Sequence, residues 1–306
     1  MNHSPSRTLY SEAADPRRMG CGCAVHSRRL FTGGLLAGGA LLAWPALARE
    51  GVEVGPRSSF SKIVSADQIE QAAGQQYRQM EQQATQQHAL APADHPQLVR
   101  LRAIAQRLIP YTYEWNGRAR QWRWEVNLIG SKQVNAFCMP GGKIAFYYGI
   151  LDQLKLSDDE VAMVMGHEMT HALREHARER MGKTMATRGA IEIGAAIFGL
   201  GNGGRFFADM GGQLLTLKFG RDDESEADLV GMELAARAGY DPHAGVTLWK
   251  KMAAANKGAP PQWISTHPSG PSRIRDIEVN LPKVDPLYAR AARPAQRFGP
   301  PQTTTR

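Results

Sequence analysis

The sequence predicts an α+β domain that is mainly helical and carries a small β-sheet along a cleft. Apolar residues recur at helical spacing through most of residues 65–282, whereas strand-like patterns are confined to two short stretches before residue 150. Of the 306 residues, 42% are apolar and 22% are charged. This composition is typical of a globular protein and excludes a disordered or collagen-like chain.

The first part of this region is predicted to contain two helices and two strands. The helices cover residues 65–88, a polar and Gln-rich segment, and 98–110, which is amphipathic. Trp and aliphatic residues alternate with polar ones over 122–128, which predicts a strand, and a second strand follows over 143–148. Between them, residues 135–142 are interpreted as a turn-bearing segment.

The second part is predicted to be helical. Ser157 and Glu160 form a capping box that opens its first helix. A Gly-rich apolar stretch over 189–212 contains charged residues, so we interpret it as a helical hairpin or a mobile flap rather than a membrane span. The predicted helices cover residues 157–181, 222–238, 242–256 and 272–280.

The N-terminus has the parts of a secretory signal. Arg28 and Arg29 precede an uncharged run over 31–47, which ends in the Ala-Leu-Ala pattern of a cleavage site at Ala48. The arginine pair resembles the twin-arginine type, so we expect export to the periplasm with cleavage after Ala48. A retained inner-membrane anchor is the alternative. The predicted organisation is a signal peptide over 1–48, a linker over 49–64, one domain over 65–282 and a loose C-terminal tail over 283–306.

The charge of the chain bears on its partners. The formal net charge is +8 at pH 7, but the sequence has no basic stripe interleaved with aromatic residues, so nucleic-acid binding is not expected. The basic surplus is compatible with peripheral association with an anionic membrane surface. The sequence does not determine the oligomeric state.

The strongest chemical signal is the H-E-x-x-H pattern of His167, Glu168 and His171. On a helix, residues four apart share a face, so the two imidazoles converge on one point. Two neutral imidazoles at that spacing suit zinc, and Glu168 beside them can take a proton from water. The alternative is a helix with two surface histidines. The apolar neighbours over 161–165 disfavour it, because a buried His-Glu-His set needs polar partners.

A catalytic zinc site takes three protein ligands and leaves one position open. Glu224 and Asp228 are four residues apart on one face of a predicted helix. Glu224 can bind the metal while Asp228 accepts a hydrogen bond from a ligand imidazole. A solvated acidic helix start is the alternative reading of this segment. Glu226 points about 160° away from that face and is interpreted as such a solvated residue.

Four motifs follow one another along the chain: Asn135-Ala-Phe with Pro140-Gly-Gly, H-E-x-x-H, Arg221-x-x-Glu224-x-x-Ala227-Asp228, and Thr266-His267-Pro268 with Arg273. In this order they resemble the zinc metalloprotease family that contains HtpX and the CAAX prenyl proteases. The resemblance spans roughly residues 65–282, and the chain is most similar to the soluble BepA-like and LoiP-like branch. It departs from BepA in having no room for tetratricopeptide repeats, and from HtpX in lacking clear transmembrane helices.

The resemblance implies a zincin domain of the minigluzincin type. One Zn²⁺ per chain would lie on His167, His171 and Glu224. Glu168 would act as general base and then as general acid, and Asp228 would support a ligand from behind.

The resemblance also implies how a substrate binds. The strand residues Gly142, Lys143, Ile144, Ala145 and Phe146 would line the cleft and pair with an extended peptide. His267 would gate the site, supply a fourth ligand or stabilise the oxyanion; the alternative is a surface histidine in a His-Pro turn. Arg273 would pair with a substrate carbonyl or with Asp276.

We therefore expect a zinc-dependent endopeptidase that hydrolyses polypeptides, namely unfolded or misassembled cell-envelope proteins, with outer-membrane proteins among them. The alternative is a zinc-containing, chaperone-like binding protein whose protease site is plugged and largely inactive. The two hypotheses differ in whether peptide bonds are cleaved once His267 is removed.

Overall fold

The computed structural model describes residues 49–197, 214, 217–255, 262–267 and 271–302. The predicted signal peptide over 1–48 lies outside the described residues, as does the part of the predicted hairpin or flap that follows residue 197.

The described residues are mainly helical with one small sheet, which confirms the predicted α+β class. Short 3-10 helices occur at Ser59–Ile63, Ile109–Glu114 and Gly117–Arg120. The α-helices are α1 (Ala66–Gln86), α2 (Pro96–Leu108), α3 (Tyr148–Gln153), α4 (Asp158–Leu173), α5 (His176–Ile197), α6 (Arg221–Arg237), α7 (Ala244–Ala255), α8 (Gln262–Thr266) and α9 (Pro271–Arg290). Among these helices, none combines the length and apolar character needed to cross a bilayer.

The sheet has three strands, β1 (Glu125–Ile129), β2 (Ala136–Met139) and β3 (Lys143–Tyr147), in the order β1-β3-β2. β1 pairs with β3 in parallel, and β2 pairs with β3 in antiparallel orientation. β2 lies in the segment predicted as a turn. Four residues are too few to show alternation, and the actual turn is confined to the residues after β2, where Gly141 and Gly142 have φ angles of 85° and 76°.

The prediction that residues Gly142–Phe146 pair with an extended peptide is wrong. Both edges of β3 are already occupied, by β1 on one side and β2 on the other, and a strand has only two edges for hydrogen bonding. Within the described part of the chain, no strand pairs with the outer edge of β2. The outer edge of β2 is therefore open in this part of the chain, whereas the outer edge of β1 carries an isolated bridge between Leu90 and Ile129.

The helix predicted over 157–181 is two helices. The capping box at its start is present: Ser157 Oγ accepts from the Glu160 N–H, and Glu160 accepts from the Ser157 N–H. The chain breaks after Leu173 because Glu175 adopts a left-handed conformation, with a φ of 63°. This turn redirects α5 and brings its first residue, His176, back towards α4.

Helices α4 and α6 cross at two glycines. A Cβ added to Gly166 would lie 2.6 Å from the carbonyl oxygen of Gly231, and one added to Gly231 would lie 2.6 Å from the backbone nitrogen of His167. Any side chain at either position would therefore force the backbones apart. This contact brings the face of α4 that carries His167 and His171 against the face of α6 that carries Glu224 and Asp228.

The C-terminal segment is more ordered than its composition predicts. α9 continues through Pro282 and Pro286 to Arg290, although a helix end near residue 280 and a loose tail are predicted. Proline costs about 3 kcal/mol inside a helix, but Val284 and Leu287 are buried, and such side chains contribute about 1.5–3 kcal/mol each. Farther on, the N–H groups of Phe298 and Gly299 donate to Asp158.

The segment predicted as a linker over 49–64 packs against the domain. Glu233 of α6, which is fully buried, accepts from the N–H of Val52 at 2.8 Å and pairs with Arg49. Gly182 of α5 is in contact with the carbonyl of Phe60, since a Cβ at Gly182 would overlap that oxygen. These polar and backbone contacts carry no hydrophobic period, so a sequence pattern does not reveal them.

Candidate metal centre

Helix α4 presents His167 and His171 on one face. Their Nε2 atoms lie 3.1 Å apart, and each residue is only 3% exposed. Burial lowers the pKa of His171, and the neighbouring imidazoles of His167 and His176 lower it further. The i, i+4 spacing thus brings two imidazoles together deep in the domain.

Helix α6 brings two carboxylates to the same place. Glu224 Oε2 lies 3.5 Å from His167 Nε2, and Glu224 Oε1 lies 3.6 Å from His171 Nε2. One turn later, Asp228 Oδ1 lies 3.0 Å from His167 Nδ1. Glu224 therefore faces the Nε2 atoms, while Asp228 holds the other nitrogen of His167.

His267, directly after α8, joins this group. Its Nδ1 lies 3.2 Å from His167 Nε2 and 3.0 Å from Glu224 Oε1. Its Nε2 lies 3.5 Å from Glu168 Oε1. Glu168 and Glu224 raise the pKa of His267 even though burial opposes this. A buried histidine in this position is not the surface residue of a His-Pro turn.

The donor atoms of His167, His171, Glu224 and His267 fit a zinc ion. All four lie within 4.8 Å of one another. Ligands at the usual zinc distance of about 2.0–2.1 Å in a tetrahedron are about 3.3 Å apart. The distance of 3.1 Å between the two Nε2 atoms, and those of 3.5 and 3.6 Å from them to the two Glu224 oxygens, are close to that value.

The tautomers of His167 and His171 also favour a cation between their Nε2 atoms. If His167 Nδ1 donates to Asp228, its Nε2 carries a lone pair. The Nδ1 of His171 lies 2.9 Å from His176, so the Nε2 of His171 also carries a lone pair when its Nδ1 is protonated. Two lone pairs facing each other at 3.1 Å repel, and a cation between them removes the repulsion.

Arg273 of α9 binds the two carboxylates of α6. Its Nε and Nη2 lie 2.6 and 2.7 Å from the two oxygens of Asp228, and its Nη1 lies 2.7 Å from Glu224 Oε2. Burial would raise the pKa of Asp228, but Arg273 and His167 outweigh it and hold the pKa below its ordinary value. Arg273 thus contacts Asp228 and Glu224 where Asp276 is the predicted partner, and its pairing with a substrate carbonyl stays a prediction.

Glu168 lies beside the donor cluster and is 2% exposed. Its Oε1 accepts a hydrogen bond of 2.6 Å from Trp263 Nε1. Burial raises the pKa of its carboxyl, against the opposing influence of His267 and His167. The carboxylate is thus oriented by Trp263 towards the same cavity as the histidines.

A cleft opens onto this centre. Residues 135–140, which contain β2, line one side of it, and Glu168, His171 and His267 line its floor. Leu214, Leu217 and Phe219 line the remaining side. The cleft wall is therefore largely apolar, and its backbone edge belongs to β2.

Comparison with known proteins identifies the family. A model of peptidase family M48 matches residues 95–280, which include α4, β1–β3, α6 and His267. The chain belongs to peptidase family M48. M48 enzymes are zinc-dependent metallopeptidases, so the chain is a metalloendopeptidase acting on polypeptides.

Three M48 relatives show how far the similarity extends. The mitochondrial metalloendopeptidase OMA1 of Schizosaccharomyces pombe is 33% identical over 254 residues, which cover 82% of this chain and 71% of the relative. The metalloprotease LoiP of Escherichia coli is 29% identical, covering 71% of this chain and 82% of LoiP. The β-barrel assembly-enhancing protease of Yersinia pestis is 26% identical, covering 52% of this chain and 35% of the relative.

The predicted periplasmic location is wrong. The S. pombe relative is named as mitochondrial, and OMA1 relatives from plants, budding yeast and mammals carry the same designation. The prediction rests on the N-terminal signal and on the resemblance to the BepA-like and LoiP-like branch. The similarity to mitochondrial enzymes overturns that inference.

Sequence reasoning missed several residues of this M48 site. Trp263 precedes His267 by four residues, and a Trp-x-x-x-His spacing on one helical turn could have indicated it. Phe219 stacks on His171 with ring centroids 3.9 Å apart, but no local pattern marks it. Glu226 is not a solvated residue, since it pairs with Arg174 at 2.6 Å and with His176 at 2.8 Å.

Proposed function

We propose that this M48 protein is an endopeptidase that cleaves unfolded polypeptides, with one zinc ion held by His167, His171 and Glu224. The observation that carries the proposal is the convergence of these donors directly beside the buried carboxylate of Glu168. Glu168 would serve as the general base and Asp228 as the group that orients His167.

Zinc held by His167, His171 and Glu224 would supply a Lewis acid that polarises a carbonyl and lowers the pKa of water. Glu168 then accepts the proton of the attacking water and returns it to the leaving amine. Trp263 keeps Oε1 of Glu168 engaged, so the proton transfer falls to Oε2. Asp228 holds the proton of His167 on Nδ1, which keeps Nε2 available as a ligand.

The outer edge of β2 would hold the substrate backbone. The Tyr147 N–H donates to the Asn135 carbonyl at 3.0 Å, so the alternation of an antiparallel pair turns the backbone groups of Phe137 towards β3. The backbone groups of Ala136 and Cys138 then face the cleft. Pairing through the main chain selects extended, unfolded segments with little dependence on sequence.

His267 would act as the gate. It adds a fourth donor to the three ligands, and a catalytic zinc site needs an open position. We expect His267 to move away from Glu224 when a substrate enters and so to free the fourth position.

Casein hydrolysis by the full chain tests this function. Glu168→Gln should reduce the rate on the order of 10²- to 10⁴-fold, the usual contribution of a general base, while Glu278→Gln on the exposed face of α9 should not change it. Removing the metal with a chelator should abolish the activity, and zinc should restore it at one ion per chain. Full activity in Glu168→Gln would contradict the mechanism.

A binding function is the second candidate, and the position of His267 favours it. A site whose open coordination position is filled could hold unfolded clients without turnover. His267→Ala discriminates the two functions. Faster casein cleavage supports the gated protease, whereas binding of unfolded casein without cleavage supports the chaperone-like function.

Loosely folded outer-membrane proteins are a second substrate to assay, because the Y. pestis relative is named for β-barrel assembly.

A further inference from the structure

His171 makes a contact that the H-E-x-x-H pattern does not reveal. Its Nδ1 lies 2.9 Å from Nδ1 of His176, and Nε2 of His176 lies 2.8 Å from Oε2 of Glu226. We propose that His176 and Glu226 are positioning residues that set the tautomer and the orientation of His171. The inference rests on the proposed function in that His171 is taken to bind the metal.

The direction of the hydrogen bonds in the series His171–His176–Glu226 follows from its two end groups, the metal ligand and the carboxylate. His171 must present an Nε2 lone pair to a metal, so its Nδ1 carries the proton and donates to His176. His176 then accepts at Nδ1 and, as a neutral ring, carries its proton on Nε2. That proton is donated to the Glu226 carboxylate, which can only accept when ionised. Each group thus has one permitted tautomer.

Burial and the guanidinium of Arg174 hold this series of hydrogen-bonded side chains in place. His176 is 1% exposed, and Glu226 Oε1 lies 2.6 Å from Arg174 Nη2. Arg174 also donates to the carbonyl of Gly55 in the packed N-terminal segment. The left-handed residue Glu175 makes the turn that places His176 under His171. Helix α6 therefore supports the metal ligands of α4 through two of its carboxylates, Glu226 and Asp228.

The two supports differ in one respect. His167 donates directly to Asp228, which is backed by Arg273, whereas His171 reaches Glu226 through an interposed imidazole. Residues that orient a metal ligand typically contribute 10- to 100-fold to metal affinity. Removing the interposed ring should therefore cost more than neutralising the carboxylate behind it, because only the first change leaves His171 Nδ1–H without its acceptor.

The test compares His176→Leu, His176→Asn and Glu226→Gln with the parent chain. Zn²⁺ affinity is measured by competition with a chromophoric chelator, and the site geometry by the visible absorption of the Co²⁺ form. We expect His176→Leu to weaken Zn²⁺ binding 10- to 100-fold and to change the Co²⁺ spectrum. His176→Asn should recover most of the affinity, because its amide oxygen can accept where Nδ1 did. Glu226→Gln should weaken Zn²⁺ binding relative to the parent, but by less than His176→Leu does.

Two exposed residues supply matched controls. Asp222→Asn changes a carboxylate at the start of the same helix, and His88→Asn changes an exposed histidine; both should match the parent. Zn²⁺ affinity of His176→Leu within twofold of the parent, with an unchanged Co²⁺ spectrum, would overturn the inference. Should His176→Leu not fold, equal affinities of His176→Asn, Glu226→Gln and the parent would overturn it instead. A parent that binds no zinc would refute the proposed function itself.

Discussion

Gly231 of α6 lies against the backbone of His167 in α4, so close that a Cβ on Gly231 would sit 2.6 Å from the His167 nitrogen. The spacing of the two helices is thus determined at His167, which is itself the first predicted metal ligand. Since Glu224 and Asp228 project from the same α6, this contact sets how far their carboxylates reach towards the histidines.

Gly231→Ala should destabilise the protein and weaken zinc binding. The atoms in contact are backbone atoms, which cannot rotate away, and overpacking of this kind costs about 1–3 kcal/mol. The free energy of unfolding in urea and the Zn²⁺ affinity measure the two effects. Gly117→Ala is the control, because nothing lies within 4 Å of its added Cβ. Equal losses in both variants would contradict the role of the helix crossing.

Arg273→Gln should destabilise the protein by about 3–5 kcal/mol, the usual effect of breaking a buried ion pair on one side. Asp228 and Glu224 would remain as buried carboxylates without their guanidinium partner. Arg273→Lys should rescue only part of the stability, because an ammonium cannot bind both oxygens of Asp228 as a planar fork does. Thermal and urea unfolding measure this, with the exposed Arg275→Gln as the control.

Stability should depend on pH through Glu81 of α1. Burial, and then its hydrogen bond with Glu125, raise the pKa of Glu81 from 4.5 to about 7. A raised acid pKa favours the folded state below pH 4.5, and this contribution is lost as the pH rises to about 7. Urea unfolding between pH 4.5 and 7.5 should show this loss in the parent and not in Glu81→Gln. A similar slope in both proteins would refute the assignment.

A peptide substrate should be sensitive to N-methylation at alternate residues. If the substrate pairs with β2 through the groups of Ala136 and Cys138, a methyl on an N–H that faces β2 removes one hydrogen bond, worth about 0.5–1.5 kcal/mol. We expect kcat/KM for a cleaved peptide to fall up to about tenfold. The neighbouring N-methyl peptide, whose blocked N–H faces away from β2, is the control. Equal kcat/KM values would place the substrate elsewhere.

Local spacing determined the centre of the site from the sequence alone. His167 and His171 share a helix face, as do Glu224 and Asp228, because both pairs are four residues apart. The capping box at Ser157 and Glu160 marked the start of α4. These relationships lie within one or two helical turns, so residue order is sufficient to predict them.

Tertiary structure alone decided which elements meet. The order β1-β3-β2 makes β2 rather than β3 the open edge, and strand order does not follow from strand patterns. Arg273 reaches Asp228 and Glu224, and Glu226 reaches His176, across 45, 49 and 50 residues of sequence respectively. Contacts between polar groups so far apart leave no period in the sequence, because they depend on how α4, α6 and α9 pack.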